Sequence, residues 1–352
     1  MTSKQRVQMA LRHETPDRVP ICGDYVPEAA EALKKALNMD DYCDMLVALG
    51  NDMLVAGTGM AYSYYLEPDE KGEYVCPWGC TWKYFSNSSG SYTEIIKHPL
   101  AGDTDGSLLE QYRIPDPQEE SQYANLQNML DKYGDTHFIC GSVTCSIFET
   151  SWYLSGLVDV IERMALDEDY THALFKKMMQ FPLQAGLKMI DMGVDMVWLG
   201  DDVGMQNCMM MSPDTWRKFL KPHLKEIISA YKKRNPNIKV AYHSCGNIMP
   251  IIPDLIEIGL DVLNPVQPMA MDPAELKEKF GHQLSFWGSI CIQQTLPNGT
   301  VEDVRNEVKL RVETLGKGGG LILSPAHNVQ ADTPVENILA FYAAAKEAVY
   351  NK

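Results

Sequence analysis

A repeated alternation of short apolar segments with amphipathic helical segments limits this chain to few folds. From about residue 120 onward, each apolar segment follows a helical one and ends at glycine, proline or polar residues. Nearly continuous apolar strands separated by amphipathic helices are typical of a parallel sheet covered by helices. We therefore predict an α/β protein with a (β/α)8 TIM barrel, and a doubly wound open sheet is the alternative. The candidate strands lie near residues 20, 53, 139, 197, 240, 262, 285 and 322.

Capping residues mark several predicted helix starts. A hydroxyl side chain before the first turn accepts a backbone N–H group that the helix leaves free, and proline is tolerated at the first position. The patterns are Ser212-Pro213, Thr300 with Asp303, and Thr333-Pro334.

The length and spacing of these segments predict a single barrel domain over residues 1–352. Residues 3–13 have the spacing of an amphipathic lead-in helix. Residues 57–117 are irregular, but residues 81–85 alternate as a half-buried strand does, so we expect a hairpin insertion that forms part of the pocket wall or a lid. Cys76 and Cys80 lie there, and their spacing is unusual for a zinc site.

The composition excludes several functions. The net charge is −16 and no run of Lys and Arg could follow a phosphate backbone, so nucleic acid is not an expected partner. No segment is long and apolar enough to span a membrane. The nine cysteines occur without a secretion signal and therefore indicate reduced thiols. For both reasons we expect a cytoplasmic protein. Together with 20 methionines, these thiols suit an anaerobic cell. No dinucleotide-binding or P-loop motif follows a strand, which disfavours a nucleotide cofactor.

Three possible metal ligands follow two of the candidate strands. His243 and Cys245 end the apolar run that begins at Lys239, and His327 follows the last strand. In a TIM barrel the carboxyl ends of the strands form one mouth, so these side chains are expected to meet there. Three N and S ligands with an open fourth position are typical of catalytic zinc. The simpler alternatives are a buried thiol and rim histidines that bind loop carbonyls.

Other polar residues are expected at the same mouth. Asp201 and Asp202 could bind substrate, support a metal-bound imidazole or cap the following loop. Glu149 and Tyr153 could line the pocket or belong to a buried helix face. Asn264 and Gln267 follow the strand near residue 262.

A set of motifs over nearly the whole chain carries a family resemblance. They are Lys4-x-Arg6-Val7, Pro16-Asp17-Arg18-Val19-Pro20, Gly200-Asp201-Asp202-x-Gly204-x-Gln206, Ser212-Pro213 to Lys221-Pro222, His243-Ser244-Cys245-Gly246, Asp261 to Gln267, and Ser324-Pro325-Ala326-His327. On these motifs the chain resembles the uroporphyrinogen decarboxylase-like superfamily, and within it the corrinoid-dependent zinc methyltransferases of the O-demethylase type. The resemblance implies zinc bound through the His-x-Cys pair and a corrinoid (cobalamin) cofactor carried by a partner protein.

Two departures from the family patterns bear on the activity. The decarboxylases hold the carboxylates of their tetrapyrrole with arginines after the first strand, but residues 22–27 contain none. Decarboxylation is therefore disfavoured, although His327 matches a histidine of the decarboxylases. The methyltransferases have a cysteine where this chain has His327. Two imidazoles and one thiolate leave a zinc site with one net positive charge, which makes it a stronger Lewis acid toward a neutral ether or amine.

The resemblance and these departures together predict a zinc-dependent methyltransferase. It would take a methyl group from a small methoxylated compound, foremost an aryl methyl ether, and deliver it to the cob(I)amide of a separate corrinoid protein. Alternatives are a methylcobamide:thiol methyltransferase, a uroporphyrinogen decarboxylase-type enzyme and a non-catalytic binding protein. The methyl donor and the oligomeric state stay open, and a homo-oligomer is compatible with the sequence. The predicted catalytic residues are Asp201 and Asp202, the substrate-binding residues Glu149, Tyr153, Asn264 and Gln267, and the metal ligands His243, Cys245 and His327.

Overall fold

Two sheets form within residues 1–87 and 90–348, which the computed structural model describes. Seven parallel strands curl into one sheet, and three antiparallel strands form a second, smaller sheet. The strands are β1 (Met53–Gly57), β2 (Glu73–Val75), β3 (Thr81–Asn87), β4 (Gly90–Lys97), β5 (Phe138–Ser142), β6 (Met196–Gly200), β7 (Lys239–His243), β8 (Val262–Val266), β9 (Ser285–Ile290) and β10 (Leu321–Pro325). The parallel sheet has the order β1-β5-β6-β7-β8-β9-β10, which matches the predicted succession of strands.

A short segment at Ile21 closes the ring between the first and last strands of this sheet. Ile21 forms a parallel bridge with Leu323 of β10, and its carbonyl accepts the N–H of Asp52 at 2.7 Å, just before β1. The TIM barrel is thus confirmed, but the strand predicted near residue 20 is reduced to a bridge. Pro20 lacks the N–H group that a ladder requires, and the Ile21 N–H is taken by the Asp52 carboxylate at 2.9 Å.

The barrel interior is a packed apolar layer to which successive strands contribute. Alternate side chains of a strand point to opposite faces, so each strand sends one set inward and the other toward the helices. The buried inner cluster comprises Val7, Leu11, Cys22, Met53, Phe138, Cys140, Met196, Ala241, Val262, Trp287 and Ile322. These side chains fill the barrel interior below the carboxyl ends of the strands, where ligand sites of this fold lie.

Helices surround the barrel. The side chains of Ser212 and Thr300 accept N–H groups at the starts of their helices, as predicted. Thr333 does not cap its helix in this way, because Pro334 occupies the position just before the first helical residue. The helices are α1 (Ser3–Ala10), α2 (Pro27–Leu37), α3 (Tyr42–Leu49), α4 (Ser107–Gln111), α5 (Ala124–Tyr133), α6 (Phe148–Ser155), α7 (Leu157–Leu166), α8 (Glu168–Met178), α9 (Gln180–Met192), α10 (Pro213–Phe219), α11 (Lys221–Arg234), α12 (Ile252–Glu257), α13 (Pro273–Phe280), α14 (Thr295–Asn298), α15 (Val301–Thr314) and α16 (Val335–Glu347).

The lead-in helix and the hairpin insertion occur where the sequence predicted them. Helix α1 contacts β1, β5 and β10, and strands β2 to β4 form the antiparallel sheet of the insertion. A short 3₁₀ turn, Met60–Ser63, follows β1 and leads into the insertion. Among the described helices, none has the length and apolar character needed to cross a membrane.

Candidate metal centre

His243, Cys245 and His327 converge at the mouth of the barrel. Their nearest nitrogen and sulfur atoms all lie within 4.8 Å of one another. His243 is the last residue of β7, Cys245 follows it, and His327 follows β10. The two segments are distant in sequence, but the parallel strands bring their carboxyl ends to the same rim.

Hydrogen bonds fix the orientation of the His243 ring. The side-chain amide of Asn264 donates to the Trp287 carbonyl at 3.2 Å, so its oxygen faces His243 and accepts from Nδ1 at 2.7 Å. The proton therefore lies on Nδ1, and the lone pair of Nε2 is directed to the cluster. Nε2 lies 3.6 Å from the Cys245 sulfur.

The loop after β7 holds Cys245 in a sharp turn. Its N–H donates to Asp202 Oδ1 at 2.7 Å, and the next N–H, that of Gly246, donates to Gln267 Oε1 at 2.6 Å. Gly246 has φ of 78°, and an added Cβ would lie 2.5 Å from the Gly204 backbone, so only glycine fits here. Burial, and then the carboxylates of Asp202 and Glu149, raise the pKa of the Cys245 thiol, an effect that a bound cation would reverse.

His327 completes the cluster from the opposite side of the mouth. It is exposed within the cavity but surrounded by protein, and its ring centroid lies 5.7 Å from that of His243. The surrounding protein keeps bulk water from the ring, and this desolvation, followed by the charge of the neighbouring His243, lowers the pKa of His327 to about 4. The imidazole is therefore neutral near pH 7, which is the form that binds metals.

The cluster fits a tetrahedral zinc ion. Bonds of about 2.0 to 2.3 Å to nitrogen and sulfur imply ligand atoms roughly 3.5 Å apart, close to the observed 3.6 Å between His243 Nε2 and Cys245 Sγ. A set of two nitrogens and one sulfur suits zinc better than magnesium or calcium. Asp202 Oδ1 lies 3.4 Å from His243 Nε2 and adds negative charge beside the site.

Asp201 and Asp202, although adjacent, occupy different environments. Asp201 is fully buried, and its Oδ1 accepts the N–H groups of Ile147 and Glu149 at 2.9 Å each, at the start of α6. Among the described residues its Oδ2 has no hydrogen-bond partner, and burial raises the pKa of Asp201 to about 7. Asp202 instead lines the cavity beside His243. Asp201 thus positions α6, whereas Asp202 faces the site.

A cavity of about 580 Å³ opens above the cluster. Glu149, Tyr153 and Asn264 line it as predicted, whereas Gln267 supports the Cys245 turn from behind. Of the described residues that line the cavity, none is Lys or Arg. The aromatic lining residues are Tyr62, Tyr64, Tyr65, Trp152, Tyr153, Trp198 and Trp287, and the acidic ones are Asp24, Glu149 and Asp202.

The residues of the insertion that line this cavity were not identified from the sequence, although the insertion was expected to form part of the pocket wall. Tyr62, Tyr64 and Tyr65 lie in or beside the 3₁₀ turn after β1, and the Tyr64 hydroxyl is hydrogen-bonded to that of Tyr153. Asp24 is held by N–H and hydroxyl donors from Tyr25 and Tyr42 at 3.0 and 2.7 Å. The many tyrosines of this irregular region were the available signal.

Comparisons with known proteins connect this chain to one family. The family model of uroporphyrinogen decarboxylase (URO-D) matches residues 92–348. A methylcobamide:CoM methyltransferase of Methanosarcina barkeri is 29% identical over 362 residues, covering 98% of both chains. A uroporphyrinogen decarboxylase of Trichodesmium erythraeum is 28% identical over 140 residues, covering 39% of this chain and 37% of its own. The solved structure of a methyltransferase from Methanosarcina mazei has a TM-score of 0.73 at 22% identity, covers 99% of both chains and shows the same fold.

Proposed function

The chain belongs to the uroporphyrinogen decarboxylase (URO-D) family, and from this premise we propose that it is a corrinoid-dependent methyltransferase that demethylates a small methoxylated compound. The relative that aligns over nearly its whole length is named a methylcobamide:CoM methyltransferase, which supports methyl transfer through a corrinoid. An aryl methyl ether is the proposed donor, and the cob(I)amide of a separate corrinoid protein is the acceptor.

The observation that carries this proposal is a cluster of two histidines and one cysteine at a cavity whose described lining residues include His243 and His327 but no Lys or Arg. Zinc held by His243, Cys245 and His327 would supply Lewis acidity toward a neutral ether oxygen. Asn264 keeps His243 Nε2 directed at the cluster. The aromatic wall suits a planar ring, because aromatic pairs add about 0.5 to 1.5 kcal/mol beyond the burial of their area.

Decarboxylation of a porphyrinogen is less compatible with the same cavity. A substrate with many carboxylates needs arginine or lysine partners, because buried anions without a counter-charge are strongly disfavoured. The described lining residues offer no Lys or Arg and include Asp24, Glu149 and Asp202. This composition supports a neutral substrate.

A methylcobamide:thiol methyltransferase is the second candidate, because two relatives are named coenzyme M methyltransferases. The described cavity wall provides no Lys or Arg that would bind an anionic thiol substrate. The identity of the third metal ligand also separates the two candidates. A zinc site with two thiolates is neutral and favours activation of a thiol, whereas a site with two imidazoles, as with His243 and His327 here, is positively charged and favours Lewis acidity.

We also propose that residues 1–352 form one domain in which the insertion supplies part of the substrate pocket. The lining by Tyr62, Tyr64 and Tyr65 supports this role. The corrinoid protein would then dock over the mouth, where Met205 and Met269 are exposed on the loops after β6 and β8.

The test is methyl transfer followed by the absorption spectrum of cobalt. The zinc-loaded protein is incubated with reduced corrinoid protein and a panel of methoxyarenes or thiols. The proposal predicts methylcobalamin from methoxyarenes, whereas demethylation of methylcobalamin by thiols would favour the second candidate. Zinc analysis of the wild type accompanies the assay, and a protein that binds no zinc would instead indicate a non-catalytic binding protein.

The substitution His327→Cys tests the argument about the ligand set. It replaces an imidazole with a thiolate and removes the net positive charge of the zinc site, so transfer from methoxyarenes should fall by about 10-fold or more while zinc stays bound. Zinc content is measured beside the rate. A variant that retains zinc and demethylates ethers at the wild-type rate would contradict the role of the charge.

A further inference from the structure

We propose that Glu149 is the acid that protonates the oxygen released when the methyl group leaves. This inference rests on the proposed ether demethylation, which liberates an alkoxide or phenolate. Glu149 lies in the first turn of α6, is 7% exposed and lines the cavity above the metal cluster.

The two carboxyl oxygens of Glu149 have different surroundings. Oε2 accepts the N–H of Asp202 at 3.1 Å, and this hydrogen bond anchors the Glu149 side chain. Asp202 in turn lies beside His243. Oε1 lies 3.5 Å from the Tyr153 hydroxyl, which is long for a hydrogen bond between two oxygens. That hydroxyl is instead bonded to Tyr64. Oε1 therefore has no short hydrogen bond to Tyr153, and the other side-chain contact of the carboxyl group is with the Cys145 thiol, a weak partner. A proton on Oε1 can be donated to a ligand in the cavity.

The surroundings also favour a proton on Glu149. Among the described residues, no Lys, Arg or His forms an ion pair with its carboxyl group, and burial together with Asp202 and Asp201 raises its pKa well above the ordinary value. The titratable groups that face it come from several elements: Asp201 and Asp202 after β6, Cys145 after β5, Tyr153 on α6, Tyr64 in the insertion, Tyr242 on β7 and Cys245 after it.

The other carboxyl groups near the cavity are less suited to this task. Asp201 does not line the cavity, and its Oδ1 holds two N–H groups of α6. Asp24 accepts two donors on one oxygen, and Asp202 holds the N–H of Cys245. Glu149 combines a place in the cavity wall with an oxygen, Oε1, that accepts no backbone N–H among the described residues. The side-chain neighbours of its carboxyl group are the Tyr153 hydroxyl, 3.5 Å from Oε1, and the Cys145 thiol.

In the proposed step, transfer of a proton to the ether oxygen accompanies transfer of the methyl group. The bond between the methyl carbon and the ether oxygen breaks, and both bonding electrons stay on the oxygen. The electron pair of cob(I)amide forms the new cobalt–carbon bond, so cobalt is formally oxidised by two electrons as the methyl group is transferred. Glu149 gives its proton to the oxygen, the product leaves as a phenol or alcohol, and the carboxylate regains a proton from solvent.

Glu149→Gln isolates the proton donor. Glutamine keeps an oxygen that can accept the Asp202 N–H but cannot supply a proton, so the anchoring contact is preserved. General acid catalysis contributes about 10² to 10⁴ in rate, and the need for it grows as the leaving group becomes more basic. We therefore expect a loss of about 100-fold for ethers of weakly acidic phenols and little loss for ethers of nitrophenols. Glu149→Asp should recover part of the rate, and Glu278→Gln, an exposed change on α13, serves as the control.

Two further measurements separate this role from a structural one. Wild-type turnover of a poor leaving group should fall as pH rises through the raised pKa of Glu149, because the protonated form is the active one, and Glu149→Gln should lack this limb. Difference infrared spectroscopy of the zinc-loaded protein without substrate should reveal a protonated carboxyl band at neutral pH that Glu149→Gln removes.

Each outcome bears on the proposal. An equal loss for good and poor leaving groups, or an ionised Glu149 in the infrared spectrum at neutral pH, would overturn it. If the wild type transfers no methyl group from any methoxyarene, the proposed function fails and the acid role with it. The infrared band is independent of turnover, and so it reports whether Glu149 itself holds a proton.

Discussion

Asn264 illustrates how one neutral side chain controls the chemistry of another at the scale of single residues. It bridges the Trp287 carbonyl and His243 Nδ1, at 3.2 and 2.7 Å, and so determines which imidazole nitrogen carries a proton. Partners of this kind are worth about 10- to 100-fold in metal affinity. Asn264 thus orients the candidate ligand His243, and it also lines the cavity.

Asn264→Ala should weaken zinc binding by about 10- to 100-fold, because His243 can then rotate or place its proton on Nε2. Competition with a chromophoric chelator measures the affinity, and circular dichroism checks the fold. Asn298→Ala, an exposed change on α14, is the matched control. Unchanged zinc affinity in Asn264→Ala would show that the hydrogen bond does not orient the ring.

The convergence of His243, Cys245 and His327 could be predicted at this scale because strand ends of a parallel barrel share a rim. The positions of His243 and His327 at the rim followed from the number and order of the strands. The roles of Asp201 and Gln267 depend on the directions in which their side chains point, and the sequence does not reveal these directions. Asp201 turns inward to the start of α6, and Gln267 turns back to the Gly246 N–H. Neighbouring residues in a loop can point to opposite sides, and only their hydrogen bonds determine which.

At the scale of elements, a buried ion network ties the lead-in helix to the bottom of the barrel. The carboxylate of Asp52 is fully buried and binds Arg6 and Arg18, each through a contact of 2.6 Å. It also accepts the Ile21 N–H at 2.9 Å. One side chain therefore joins α1, the closing segment at Ile21 and the start of β1.

Asp52→Asn should destabilise the protein by about 3 to 5 kcal/mol, because it removes the fully buried carboxylate charge that Arg6 and Arg18 share. Urea unfolding followed by circular dichroism measures the free energy of unfolding. Asp17→Asn is the matched control, since Asp17 pairs with the same Arg6 but is 49% exposed, and it should cost at most about 1 kcal/mol. Equal losses in the two variants would contradict the importance of burial.

Backbone hydrogen bonding explains why the sequence predicted most of the strands but not the short bridge at Ile21. Apolar runs identified seven strands because burial on both faces of a parallel sheet requires continuous hydrophobicity. The segment at Ile21 has the same apolar character but lacks a ladder, because Pro20 has no N–H and Asp52 takes the next one. The tyrosines at the start of the insertion could not be assigned to the cavity, since their segment has no periodicity.

At the scale of the whole molecule, the open mouth of the barrel brings together the metal cluster and an exposed apolar rim. Met205 and Met269 are 46% and 55% exposed, and the Gln206 side chain donates to the Met269 carbonyl at 2.5 Å, which joins their two loops. The Met205 carbonyl accepts the Asn247 N–H at 2.8 Å, beside the turn that holds Cys245. A partner docked here would approach the metal cluster directly.

The double substitution Met205→Glu, Met269→Glu should weaken binding of the proposed corrinoid partner by about 10-fold or more, because it replaces two exposed apolar side chains at the proposed contact with charges that must be desolvated. Calorimetry or surface plasmon resonance with the purified partner measures the affinity. Zinc content and the binding of a small phenol should stay unchanged, because neither methionine lines the cavity. As a control, Val158→Glu and Leu166→Glu alter apolar residues of α7 that are more exposed, at 70% and 84%. If these changes weakened the complex as strongly as those at the mouth, the partner would have to dock against the side of the barrel, and methyl transfer would need a route that the mouth does not provide.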